Sequence, residues 1–256
     1  MNIYFILPII IIIVIVIIIV VVLNRKNNNY FQLFTNLNEY RLGDIYNGND
    51  GENMPKIEKY HIKNFNDSIA SDYIRQSKTY NDINTLLQII KNRSNSSNSK
   101  SSSNSSKSNS SSSICIVHLR VGDILEGVSS NKLKKKYYNN EPKDSDKIPV
   151  NNNINYINSE NYYKNKIKKL KNLGINNVII IAGSHKKYNN YTNSTFYINE
   201  IKELFEKNGI KVELRLAKNP DDDILLVYKS KYFIPSKGGY SRLMEEIINK
   251  SGGIII

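Results

Sequence analysis

Ten residues constrain this chain most: Ile114-Cys-Ile-Val-His-Leu-Arg-Val-Gly-Asp123. An unbroken apolar run is the pattern of a strand buried on both faces, and such strands belong to parallel sheets covered by helices. The run ends in His118, Arg120, Gly122 and Asp123. A buried strand that delivers a permanent cation and a glycine turn at its carboxyl end has the layout of a ligand site in an open α/β sheet. A guanidinium can hold a phosphate in bidentate fashion without losing its charge. Gly122 lets the backbone turn sharply or approach a ligand closely. These residues alone point to a phosphate or nucleotide site.

The segments that follow keep strands and helices in alternation. Residues 125–155 are polar and lysine-rich, with Lys132, Lys134, Lys135 and Lys136, and read as a long loop. Residues 160–173 have helical spacing through Tyr163, Ile167 and Leu170, and Gly174 suits the cap. Val178-Ile-Ile-Ile-Ala182 is a second buried strand, ending in Gly183, Ser184 and His185. A helix over 196–207 and an alternating strand over 210–216 come next. Asn219 and Pro220, followed by three acids, open another helix. Tyr232-Phe-Ile-Pro235 is a short strand, 240–249 a helix, and Gly253-Ile-Ile-Ile256 a final strand. The fold class is therefore α/β: a Rossmann-like, mostly parallel sheet with flanking helices over 114–256. Three loops, 120–123, 183–185 and 236–241, all follow strands and gather at one sheet edge, where ligands bind.

The first 113 residues divide differently. Residues 3–23 are almost wholly Ile, Val and Leu. About 20 apolar residues cross a bilayer as a helix, so this stretch reads as a single transmembrane anchor and makes the membrane a partner. Arg25 and Lys26 follow it and no basic residue precedes it, which by the positive-inside rule places the bulk of the chain in the cytoplasm. Residues 24–93 form a tether and a small helical cap; within them Tyr40-Arg-Leu-Gly-Asp-Ile45 holds a second Arg-x-Gly-Asp, and Ile83, Leu86, Leu87 and Ile90 have helical spacing behind Asp82. Residues 94–113 are nearly all Ser, Asn and Lys, cannot bury enough apolar area to offset ordering entropy, and read as a disordered insert.

The net charge of +13 suits polyanions, anionic membranes or nucleotide phosphates, or simply a solvated lysine surface. Cys115 is the only cysteine, which rules out an internal disulfide or a cysteine zinc site within one chain. Ser236-Lys-Gly-Gly-Tyr-Ser241 lies between a strand and a helix, and offers either bare N–H groups to an anion or a plain tight turn. It is neither a Walker loop nor a dinucleotide glycine motif. The pair Asp221 and Asp223 suits a divalent metal or, in a first helical turn, the helix dipole. Cys115 and His118 lie three apart on a strand, so they face opposite ways and are no nucleophile–base pair. His118 either orients the turn or meets the ligand, and His185 sits where it can contact one.

With these residues in place, the segment from about Ile114 onward resembles fucosyltransferases of the α1,2, α1,6 and protein O-fucosyltransferase group. Their strand ends in His-x-Arg-Arg-Gly-Asp; here it stands as His118-Leu-Arg-Val-Gly-Asp123, with Val121 in place of the second arginine. Their later strand, small-residue turn and helix stand here as Phe233-Ile-Pro-Ser-Lys-Gly-Gly-Tyr-Ser241. The resemblance implies an inverting glycosyltransferase of the GT-B type, with no metal or other cofactor, taking GDP-fucose as donor and a glycan or protein hydroxyl as acceptor, with no nucleic acid partner. It implies catalytic roles for Arg120 and His118: Arg120 would neutralise the β-phosphate of the leaving group. Gly122, Asp123, Ser184, His185, Ser236, Gly238, Gly239, Tyr240 and Ser241 would hold the nucleotide sugar. It also implies the endoplasmic reticulum or Golgi as location, with the side of the membrane open. Residues 31–93 are few for the acceptor half of such an enzyme. A catalytically inactive relative and a basic polyanion-binding module therefore stand beside the enzyme reading.

Overall fold

The computed structural model describes residues 42–46, 65–77, 81–99, 114–138, 153–184 and 190–256. In chain order these form helices α1 (Leu42–Tyr46), α2 (Ile69–Gln76) and α3 (Ile83–Ser99), then strand β1 (Ile114–Arg120). Helices α4 (Asp123–Glu126) and α5 (Ser130–Tyr138), a 3-10 turn (Asn153–Tyr156) and α6 (Glu160–Asn172) lead to β2 (Asn177–Gly183). Then come α7 (Thr192–Lys207), β3 (Lys211–Leu216), α8 (Pro220–Lys229), β4 (Tyr232–Ile234), α9 (Gly239–Lys250) and β5 (Ile254–Ile255).

The five strands make one sheet in the order β3-β2-β1-β4-β5, with every pairing parallel. β1 is central because it is apolar on both faces. Cys115, Val117 and Leu119 point into a core shared with α4 to α7, and Ile116 points into the opposite core with α8, α9 and the three N-terminal helices. Cys115 and His118 accordingly face opposite ways. The first two crossovers step outward from β1 on one side. The third returns past β1 to place β4 on its other flank, with α8 on the other face. Strand order thus reverses between β1 and β4, the point at which open α/β sheets hold their ligand crevice.

Local signals explain the helix ends. Ser159 accepts the Tyr162 N–H at the start of α6, Asn219 accepts the Asp221 N–H at the start of α8, and Gly174 takes a positive φ of 68° after α6. Two expectations change. The described residues within 125–155 hold the end of α4, helix α5 and most of a 3-10 turn where a loop was expected; in α5 only Leu133 and Tyr137, four apart, mark the buried face among lysines. Helix α3 runs on to Ser99, past the expected start of the disordered insert at 94, and Ser94 is buried. Arg93, paired with Asp72 and Asp221, fastens that end of the helix. The expected membrane span at 3–23 and the rest of the Ser/Asn tract lie outside the described residues. Among the described residues no helix is long and apolar enough to cross a membrane.

The acidic run at the start of α8 works as a clasp. The Asp221 carboxylate accepts the Ile69 N–H at 2.7 Å and pairs with Arg93 at 3.4 Å, tying α2 and α3 to α8. Asp223 accepts from Arg215 at 2.6 Å. Neither is arranged as a metal ligand, and among the described residues no group of three or more His, Cys, Asp or Glu could hold an ion. Removing one partner of a buried charged pair costs about 3 kcal/mol. Asp221→Ala should lower unfolding free energy in urea by about that much. Asp222→Ala, whose side chain is 61% exposed, should cost under about 0.5 kcal/mol. Equal losses would contradict the clasp.

Candidate functional site

The loop after β1 is built to hold still. Gly122 has φ of 72°, and a Cβ there would lie 2.1 Å from Ser184 Oγ and 2.3 Å from Ser184 Cβ. Only glycine fits, both for the left-handed backbone and for the approach of the β2 loop. The Gly122 N–H donates to Ser194 Oγ at 3.0 Å, and that hydroxyl donates to Glu126 Oε1 at 2.6 Å. The Glu126 carboxylate also accepts the N–H groups of Ser194 at 2.8 Å and Asn193 at 3.3 Å, satisfying the first turn of α7 and opposing its dipole. Asn193 donates its amide to the carbonyls of Leu125 and Val128. The loop is thereby riveted to α7 through one continuous polar network.

Arg120 emerges from this support at the crevice. Its Nη2 lies 3.0 Å from Asp123 Oδ2, and its Cζ is 5.9 Å from the ring centroid of Tyr156. Its Nε is buried and has no hydrogen-bond partner among the described residues. About a fifth of the side chain is exposed. Across the crevice, Gly238 precedes α9 with φ of 101° and gives that helix no side-chain cap. A Cβ on Gly238 would meet Arg120 Nη1 and Tyr156 Cε1 at 3.6 Å each. The positive end of α9 and the Arg120 guanidinium therefore converge on one opening. Lys237, beside them, reaches the Asn155 carbonyl at 2.5 Å. From the other side α1 presses in: a Cβ on Gly43 would come within 2.7 Å of the Tyr240 backbone.

The remaining predicted residues lie beneath the opening. His118 is 7% exposed, with Nδ1 2.8 Å from Ser236 Oγ and its ring edge-on to Tyr240 at 5.6 Å. Burial, and then the nearby Arg120 charge, push its pKa down to about 3. The imidazole is neutral near pH 7 and far too weak a base for general-base catalysis there. Ser241 is fully buried, and its hydroxyl accepts the Ser236 N–H at 2.9 Å. Ser184 is 4% exposed against Gly122.

The structure thus brings Arg120, Gly122, Asp123, Ser184, Ser236, Gly238, Gly239, Tyr240, Ser241 and His118 into one cluster. Within it the side chains of His118, Ser184 and Ser241 are buried, and those of His118 and Ser241 bond Ser236. His185 lies outside the described residues. Sequence reasoning missed Tyr156, Glu126, Asn193 and Ser194. The one local signal was Glu126, an acid set soon after the glycine turn; its partners lie 68 residues away.

No family model matches the chain, and no curated protein matches it. Solved structures similar to it include POFUT1 in complex with GDP, at 12% identity and a TM-score of 0.35 over 68% of this chain and 49% of that one. A second is POFUT1 without ligand, at 12% identity and a TM-score of 0.36 over 66% of this chain and 48% of that one. A third is POFUT1 in complex with GDP-fucose, at 9% identity and a TM-score of 0.36 over 84% and 68%. In the first two the chain spans about half the length of its match. Likeness at these scores assigns no family.

Two measurements check the geometry. Gly122→Ala should cost more than about 2 kcal/mol in chemical denaturation, and adding Ser184→Gly should recover the steric part while leaving about 1 kcal/mol of backbone strain. Full recovery, or none, would contradict the packing. The second uses pH. The folded-state pKa of His118 lies below the free value of 6.5, so the unfolded chain binds the proton first. The stability His118 contributes is present above pH 6.5 and is lost as pH falls toward about 3. The difference in unfolding free energy between wild type and His118→Gln should shrink by about 1.4 kcal/mol per pH unit from about pH 6 to 4. A constant difference would mean the imidazole is not buried neutral.

Proposed function

We propose that the crevice between β1 and β4 binds the diphosphate of a nucleotide sugar and that the chain is a glycosyltransferase. The observation that carries this is the convergence of the Arg120 guanidinium and the start of α9, opened by Gly238, at the point where strand order reverses. A diphosphate brings two negative groups to that point, and two kinds of positive group already face it. The finer reading, GDP-fucose as donor and a glycan or protein hydroxyl as acceptor, draws on the resemblance of residues 118–123 and 233–241 to fucosyltransferases.

In the proposed reaction the acceptor oxygen bonds to the anomeric carbon as the bond from that carbon to the β-phosphate oxygen breaks. The electron pair stays on the phosphate, and the acceptor proton leaves to a base or to solvent. Arg120 acts where the negative charge develops. It must exchange part of its contact with Asp123 for phosphate, and Asp123 returns it to the resting pose after GDP leaves. Val121 is 1% exposed in the core shared with α4 to α7, so the position of the family's second arginine is apolar packing here. Lys237, next to Gly238, is the cation placed to share the load. His118, held neutral against Ser236, serves as a positioning residue and not as the base. Residues 3–23 would anchor the chain in the endomembrane system.

Calorimetric titration of the full chain in lipid nanodiscs tests this. GDP should bind about 10- to 100-fold more tightly than GMP, the range expected for one charge-assisted phosphate contact. Arg120→Ala should erase that preference while the protein still unfolds cooperatively. Equal affinity for GDP and GMP in the wild type would overturn the diphosphate site. Binding without fucose transfer to any acceptor would retain the site and remove the enzyme.

A further inference from the structure

Among the described helices, positive charge is concentrated on one pair. α5 carries four lysines and no acid, and α6, packed beside it, carries five lysines and only Glu160 as an acid. In the opposite layer, α1, α2, α3, α8 and α9 together hold six basic and seven acidic residues. The other helices of the same layer, α4 and α7, hold two basic and five acidic residues, so a general preference for lysine does not account for the α5–α6 face. Seven of its nine lysines are exposed, while Lys166 turns inward to the Ile256 carbonyl. At the carboxyl ends of these helices stand Leu173, 48% exposed, and Tyr138, 44% exposed with its hydroxyl donated to Glu200 of α7. Lysines spread around a few outward amphipathic or apolar side chains suit the headgroup zone of a bilayer.

The face is also set apart from the crevice. Near its start α6 touches the β4 loop, where the Tyr162 hydroxyl donates to the Pro235 carbonyl at 2.8 Å. From there it runs to the beginning of β2, carrying Lys168, Lys169, Lys171 and Leu173 to the far edge of the sheet. A surface bound there leaves the mouth of the crevice open.

We propose that the α5–α6 face docks on an anionic lipid surface. This rests on reading residues 3–23 as an anchor, a sequence reading independent of the sugar-nucleotide site. Residues 24–41, fully extended, reach at most about 60 Å, so the folded part stays beside the bilayer at high effective concentration. There a cluster of lysines is drawn to acidic headgroups. That tether favours lipid over nucleic acid as the polyanion.

The test uses the full chain in nanodiscs, with a bimane probe on Asn172→Cys at the end of α6 and, separately, on Lys91→Cys on α3. Cys115 is buried and stays unlabelled. Nitroxide-headgroup lipid reports proximity. In discs with about 30% phosphatidylserine the probe at 172 should be quenched at least about twofold more than in phosphatidylcholine alone, and about 0.5 M NaCl should remove the difference. The combined change Lys132→Glu, Lys168→Glu and Lys169→Glu should remove it too, while the probe at 91 should not respond. Quenching that ignores phosphatidylserine, or that is equal at 91 and 172, overturns the proposal. So does a probe at 172 that ignores phosphatidylserine but responds to a uridylate oligomer, which would assign the face to nucleic acid. A chain that does not enter the discs removes the anchor and the proposal together, leaving the GDP titration in detergent to judge the crevice separately.

Discussion

A guanidinium held at the edge of a core is the constraint on which the rest of this structure depends. Arg120 terminates a strand that is apolar on both faces and paired on both sides, so its backbone cannot yield without opening two hydrophobic cores. A charge in such a place must be neutralised or solvated. Asp123, the Tyr156 ring and the partial exposure of the side chain do this together. The reversal of strand order beside β1 sets the crevice at that same point.

Around Arg120 the polar residues divide into supports and presenters. Gly122, Ser184, Ser194 and Glu126 lock the β1 loop to the β2 loop and to α7, while His118, Ser236 and Ser241 lock the β4 loop. What remains toward solvent is a guanidinium, its carboxylate partner, an ammonium and the start of a helix. Preorganised positive groups of this kind favour a ligand whose negative charge grows during reaction, because they need not reorganise when it does. The depressed basicity of His118 belongs to the same design: a neutral imidazole can bond Ser236 without adding a second cation under Arg120.

Much of this was legible in the sequence because its signals are local. The runs that became β1, β2 and β4 needed only their own apolar residues, and Asn219, Pro220 and Gly174 marked helix ends through their own backbone preferences. The three loops could be predicted to meet because a parallel sheet brings all strand carboxyl ends to one edge. Which side chains would turn inward was not legible. Ser184 is buried because Gly122, in a distant loop, leaves it space, and Glu126 finds its partners only when α7 packs nearby. α5 was hidden for a different reason: exposed lysines outnumber the two residues that anchor it, so periodicity fell below notice. The concentration of charge on α5 and α6 likewise emerges only when the layers are assembled.

A diphosphate bridging Arg120 and the start of α9 is the central proposal. A crystal structure of the protein grown with GDP examines that most directly. The account predicts the β-phosphate within about 3 Å of the Arg120 guanidinium and of backbone N–H groups in the first turn of α9, with Asp123 partly released. GDP bound elsewhere, or in the crevice with Arg120 still closed on Asp123 and α9 untouched, would contradict it.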